Sequence, residues 1–239
     1  NPSRDSLLTG LRPDTVGTYG FQHSWAPHML LPQQLIHSNY HTAAYGKVMH
    51  WDADHRNVWS LESWQGDWYA YQNSEGGKYM NASVQPDNVW KEEQFRDYIL
   101  MTHALSGLEK LHSKSREDKN HFMLSIGYKL PHIALHVPQK YWDMYKDTDA
   151  RDMWENDVKT TSYPSDAPLA GYRCCVNQPF QHMTDGGVKR ATKRTTLGNV
   201  STPFPDSGRD DVMRGYAAAV SFVDSQLGRL LDRIDAMSL

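Results

Sequence analysis

Between Lys91 and Gly127 the apolar residues change period, and that change restricts the fold more than any other feature of the chain. Phe95, Ile99, Met101, Leu105, Leu108 and Leu111 recur at helical spacing to about Lys114. The charged run SKSREDKN then interrupts them, and HFMLSIG follows with the length and flanks of a buried strand. A helix delivered into an apolar strand is an α/β unit, in which helices cover a largely parallel sheet. Near the other end, Val212, Tyr216, Val220, Val223, Leu227, Leu230, Leu231 and Ile234 predict an amphipathic helix over about 209–235. An α/β protein would place a strand next.

Shorter elements fit the same class. In NPSRDSLLTGLRPDT the residues predict a short helix with Asn1 at the cap and Pro2 in the first turn, where its missing N–H costs nothing. Leu7 and Leu8 form its buried stripe, and Thr9-Gly10 stop it ahead of Pro13. A second helix is expected over 31–38, with Leu31, Leu35 and Ile36 apolar, leading into a strand at HTAAYG. Residues 51–90 show no sustained period and read as a long irregular excursion. Its Trp59, Trp64 and Trp68 suit either a core or the stacking of sugar faces. Residues 139–210 are also aperiodic and read as a lid or insertion.

Charge removes several classes of partner. A net charge of -3 over 239 residues favours neither nucleic acid nor an acidic membrane surface, and the basic stretch Lys189, Arg190, Lys193, Arg194 reads as a solvated loop. No apolar run reaches the length of a membrane span. The 12 histidines would gain positive charge in a compartment near pH 5. Cys174 and Cys175 are adjacent and poorly placed to pair with each other, so one bridges to a cysteine outside the chain or both are free. Asn81 and Asn199 head glycosylation triplets, which fit a secretory or lysosomal route. His132 and His136 are four apart but bracketed by Pro131 and Pro138, which argues against a helical zinc pair. Asp52 and Asp54 in WDADH lack the ligand ladder of a calcium loop and read as a solvated acidic turn.

The chemistry concentrates where PSR opens the first helix. A helix N-terminus presents unpaired N–H groups and partial positive charge, and Arg4 adds a guanidinium with bidentate geometry, the donor set that a sulfate or phosphate ester needs. Lys47 follows the predicted strand and turn AAYG, so its ammonium lies at a strand's end, where it can contact a bound oxyanion. His50 follows three residues later, and His132 comes just after the strand HFMLSIG.

These blocks, in this order, resemble the sulfatase family. PSRDSLLTGLRPDT is similar to the family signature Cys-x-Pro-Ser-Arg followed by Leu-Leu-Thr-Gly, whose cysteine becomes the nucleophile formylglycine; that cysteine is expected immediately before Asn1. GKVMH resembles the Gly-Lys-x-x-His of the iduronate-2-sulfatase branch, and GYKLPHIALHVP resembles its Gly-Tyr-x-x-Pro-His-x-Pro block, with Ala134 in place of the usual second proline. The final helix is similar to the one that precedes the family's Asp-His metal ligands.

The resemblance implies an alkaline-phosphatase-like α/β fold, a mixed sheet flanked by helices with long insertions. Residues 1–239 would be the middle portion of its catalytic domain, without the N-terminal metal-binding strand or the C-terminal part. It implies calcium, with ligands outside this chain and none within it, and maturation by a formylglycine-generating enzyme. The implied substrate is a sulfated glycosaminoglycan, heparan or dermatan sulfate, in the lysosome or outside the cell, with neither nucleic acid nor membrane as partner. Arg4, Lys47, His50 and His132 take the catalytic positions: Arg4 beside the hydrate and calcium, Lys47 and His132 on the sulfate, His50 on the hydrate proton. Lys129 stands where relatives often carry a His and is assigned substrate contact. Residues 1–239 alone are expected to be inactive. Two other readings remain: a phosphate or phosphonate ester hydrolase of the same fold, which would carry Thr rather than Cys before Asn1, and a non-catalytic binder of sulfated glycans.

Overall fold

The computed structural model describes residues 2–19, 27–49, 58–61, 63, 64, 66, 84–87, 90–132, 135–148 and 206–239, with the backbone alone at 84–87, 206–210 and 212. Asn1, His50, Asp52, Asp54, Trp68, Asn81, Cys174, Cys175, Asn199 and the basic stretch Lys189 to Arg194 lie outside the described residues. The chain forms two compact units. The first comprises Asn1–Ala70, Arg96–Lys129 and Gln226–Leu239; the second comprises Tyr71–Phe95 and Leu130–Ser225.

The first unit is organised by β1 (Tyr40–Gly46), which pairs in parallel with β3 (His121–Gly127), from Tyr40 opposite His121 to Gly46 opposite Gly127. On its other edge β1 is bound by the segment around Trp64: Leu61 N donates to Thr42 O at 3.1 Å, Trp64 N to Ala44 O at 2.9 Å, and Gly46 N to Trp64 O at 2.7 Å. Thr42 and Ser60 exchange a reciprocal pair, each hydroxyl accepting from the other's backbone N–H at 2.7 and 3.1 Å. Strands of parallel ladders are covered on both faces, and YHTAAYG accordingly shows no alternation of polar and apolar residues. Ala44 packs with Leu8, Leu30, Met49, Val58 and Trp59, whereas Ala43 and Tyr45 face Leu100, Met101, Ala104 and Leu111. Trp59 is thereby a core residue. Trp64 is half-buried and stacks on His103, with ring centroids 4.1 Å apart.

The helices of this unit are α1 (Pro2–Thr9), α2 (Pro13–Val16), α3 (Leu31–His37) and α4 (Arg96–Asp118). α1 stops as its sequence predicts, with Gly10 at φ 72° and the Thr9 hydroxyl donating back to Asp5 O at 2.6 Å. Its buried face differs from the expected one: Leu8 is buried but Leu7 is 77% exposed, and Asp5, three residues before Leu8, takes the inner position. In α3 the Gln33 side chain accepts from Leu30 N at 2.9 Å. α4 departs from expectation at both ends. It starts at Arg96, after a 3-10 turn at Glu92–Gln94, and runs through the charged residues that were expected to break it. Lys114 reaches Glu117 and Asp118, each at 3.2 Å, and such i,i+3 and i,i+4 pairs support an exposed helical turn rather than end it.

The second unit holds a second parallel ladder, β2 (Val84–Asp87) with β4 (Leu135–Pro138). β2 falls inside the stretch read as irregular; its four residues carry no legible period, and its partner lies some fifty positions away. α5 (Gln139–Asp143) likewise lies in the stretch read as aperiodic. α6 (Asp206–Met237) confirms the long C-terminal helix and extends it by a few residues at each end. Its Phe222 meets Phe95 at 5.8 Å and Tyr141 at 5.2 Å between ring centroids, and all three rings are buried. The Tyr141 hydroxyl donates to Glu92 Oε1 at 2.8 Å and lies 2.7 Å from Ser225 Oγ.

Candidate functional site

The two strands of the first unit converge at their carboxyl ends, where parallel sheets place ligands. Gly46 has φ 76°, and a side chain there would meet Gly127 O at 2.3 Å and the Leu100 methyls at 2.7 and 2.8 Å. At Gly127 an added Cβ would lie 2.2 Å from the carbonyl of Lys47. Two glycines opposite each other thus let the backbone leaving β1 pass against the end of β3 at contact distance, and Lys47 N donates to Gly127 O at 2.6 Å. Lys47 and Lys129 leave the sheet directly beyond this contact.

Lys47 is 9% exposed. Burial, then the Arg4 guanidinium, then that of Arg96 push its ammonium down from 10.5 to about 8. Lys129 falls further, to about 7, through burial and the positive charges of Lys47 and Arg96, while Asp97 acts in the opposite direction. Arg4 is half-buried in the first turn of α1. Arg96 and Asp97 occupy the first turn of α4, at 6% and 0% exposure, and Asp97 Oδ1 accepts from Lys129 N at 2.8 Å.

Three of the sequence-predicted positions, Arg4, Lys47 and Lys129, are therefore brought together. His50 lies outside the described residues. His132 belongs to the second unit, where it is exposed and follows a cis Leu130-Pro131 peptide bond. Of the two histidines weighed as a zinc pair, His136 is 2% exposed and packed against Trp90 and Phe95 at 5.7 and 5.1 Å between ring centroids, in the core of its unit. Arg96 and Asp97 were missed. Their signal was present: they stand four residues before Leu100 and Met101, so two charged groups extend the buried face of the helix.

Cations gathered out of water repel one another and lose hydration, a cost that an anion between them relieves. Ammonium groups and a forked guanidinium suit the oxygens of a tetrahedral oxyanion. Among the described residues no group of three or more His, Cys, Asp or Glu is gathered to hold a metal. The calcium that the resemblance implies thus has no ligand set among them.

The family model described as Sulfatase matches residues 1–238. The chain belongs to the sulfatase family. Within it, this chain is 26% identical over 258 residues to iduronate 2-sulfatase of Homo sapiens, across 100% of its own length and 43% of that protein's. It is 25% identical to a sulfatase of Formosa agariphila, across 98% of its own length and 45% of that protein's. It therefore spans less than half the length of these curated relatives. Among solved structures, the phosphonate monoester hydrolase of Agrobacterium radiobacter matches with a TM-score of 0.58 at 15% identity, over 99% of this chain and 50% of that one. A putative sulfatase from Bacteroides fragilis matches with a TM-score of 0.52 at 16% identity, over 100% and 48%. The expected fold, a partial alkaline-phosphatase-like sulfatase fold, is the observed one, and both described ladders of this sulfatase-family chain are parallel.

Proposed function

We propose that the protein containing this chain is a sulfuric ester hydrolase, removing the 2-O-sulfate of iduronate from heparan or dermatan sulfate. The observation that carries the reading is the gathering of Arg4, Lys47, Lys129 and Arg96 around the carboxyl ends of β1 and β3. The Gly-Lys-x-x-His spacing and the 26% identity to iduronate 2-sulfatase support the choice of sugar. Lys47 and Lys129 hold the sulfate oxygens and disperse the charge that grows on them as the S–O bond breaks; Arg4 fixes the side on which the nucleophile stands. His50 takes the nucleophile's proton. The nucleophile is a formylglycine installed by a formylglycine-generating enzyme on a cysteine immediately before Asn1, and calcium is held by residues other than those described. Residues 1–239 by themselves are inactive in this reading, and the whole protein works in the lysosome or after secretion.

A second reading draws on the same observation. The cation cluster suits any tetrahedral oxyanion, including a phosphonate monoester. The deciding assay is sulfate release by the full-length protein from an iduronate-2-sulfate disaccharide, beside a phosphonate monoester. Turnover of the disaccharide supports the first reading. Turnover of the phosphonate alone replaces it with the second, and glycan binding without turnover of either makes the protein a binder.

A further inference from the structure

Asp97 occupies a position that its chemistry does not explain by packing. It is fully buried on the apolar face of α4, four residues before Met101, where a carboxylate forfeits hydration. Its Oδ1 reaches the main chain beyond β3, accepting from Lys129 N at 2.8 Å. Lys129 lies just past the Gly46–Gly127 contact, beyond the last paired residues of the ladder, and there Asp97 supplies an acceptor for its N–H. Among the described residues, the charges acting on Lys129 include Lys47 from the end of β1 and Arg96 and Asp97 from α4; those acting on Lys47 include Arg4 from α1 and Arg96. Among the described residues, Asp97 is a group that opposes these two positive neighbours at Lys129.

We propose that Asp97 is a positioning residue for the oxyanion site, fixing the main chain at Lys129 by its hydrogen bond and sustaining the charge of the Lys129 ammonium against Lys47 and Arg96. The role rests on the functional reading above for its catalytic consequence, but the geometry and the charge effect do not depend on it. Asp97 touches no reacting atom; it acts through Lys129. The balance at this lysine is close, because burial and two like charges already bring it to about 7, and the loss of one opposite charge tips it towards the neutral amine at physiological pH.

Two substitutions separate the two parts of the role. Asp97→Asn keeps an oxygen that can accept from Lys129 N but removes the charge, and Asp97→Ala removes both. In the full-length protein, the rate of Lys129 acetylation by acetic anhydride, followed across pH by mass spectrometry, reports the fraction of free amine. In D97N its midpoint should fall by about one pH unit, since an opposite charge at short range holds a cation up by that order. Sulfate release should show the same downward movement of its alkaline limb, with kcat at low pH retained. D97A should add a loss of about 10²-fold in kcat/KM, the order expected when a binding group is displaced by an ångström. In the wild-type protein, hydrogen exchange at the Lys129 amide should be slow despite its place beyond the strand. An unchanged Lys129 midpoint in folded D97N overturns the proposal. Should D97N fail to fold, a fast-exchanging Lys129 amide in the wild type overturns it instead. A shifted midpoint in a protein that releases no sulfate sustains the role of Asp97 and removes the functional reading alone.

Discussion

The two units each carry a parallel ladder, and each buries a titratable side chain beside it, yet the surroundings are opposite in kind. Beyond β1 and β3, Lys47 and Lys129 are surrounded by Arg4, Arg96 and Asp97. In β4, His136 is enclosed by the rings of Trp90 and Phe95 and belongs to an aromatic core that continues through Phe222 to Tyr141. Burial of an ionisable group is therefore not the mark of a site. Like charges held together against their repulsion mark a candidate site, whereas a ring packed among rings belongs to a core.

The comparison breaks if the lysine and the histidine respond alike. Lys47→Met in the full-length protein should reduce sulfate release by about 10²- to 10³-fold, the order lost with one transition-state charge contact. Its unfolding temperature should hold or rise, because a buried like charge is removed. Gly127→Ala should destabilise the first unit by about 3 kcal/mol in denaturant unfolding, since the new Cβ at 2.2 Å from the Lys47 carbonyl forces two backbones apart. His136→Ala should cost about 2 kcal/mol of stability by vacating a packed aromatic site, with kcat unchanged well below the melting temperature. A fall in kcat for His136→Ala as large as that for Lys47→Met would erase the distinction.

A pH experiment sharpens it. Lys47 and Lys129 stand near 8 and 7 in the folded chain against 10.5 when unperturbed, so the folded state binds fewer protons than the unfolded state between these values. Their burial costs stability in full below about pH 7, and the cost fades as pH rises towards 10.5. An oxyanion favours the charged forms, so inorganic sulfate binding should take up protons above pH 7 and cease to do so well below it. Calorimetry in two buffers of different ionisation enthalpy measures that uptake. The smallest effect is expected at Arg229, which lies 3.8 Å over the Tyr98 ring and donates to Gln226 Oε1 at 2.7 Å. Arg229→Ala should cost about 1 kcal/mol of stability and leave sulfate release untouched.

Much of the first unit was legible because its signals are local. The helical recurrence of Met101, Leu108 and Leu111, the strand HFMLSIG and the stop at Thr9-Gly10 each follow from residues within a few positions of one another. Where the reading slipped, distant partners or compensating charges decided. Lys114 with Glu117 and Asp118 carried α4 through a run that looked like a break. β2 exists by pairing with a strand some fifty residues away. Leu7 faces solvent because Asp5 and Leu8 share the inner side of α1.

The sequence by itself determined the α/β class, the order of the three motif blocks, and the residue types able to meet an oxyanion. These depend on spacing along one chain, where covalent geometry transmits the signal. Only the tertiary structure decided that Arg4, Lys47 and Lys129 share one environment, that Arg96 and Asp97 join it, and that His136 does not. Charge and burial act through space. Two lysines more than eighty positions apart become neighbours only where Gly46 and Gly127 let their strands touch.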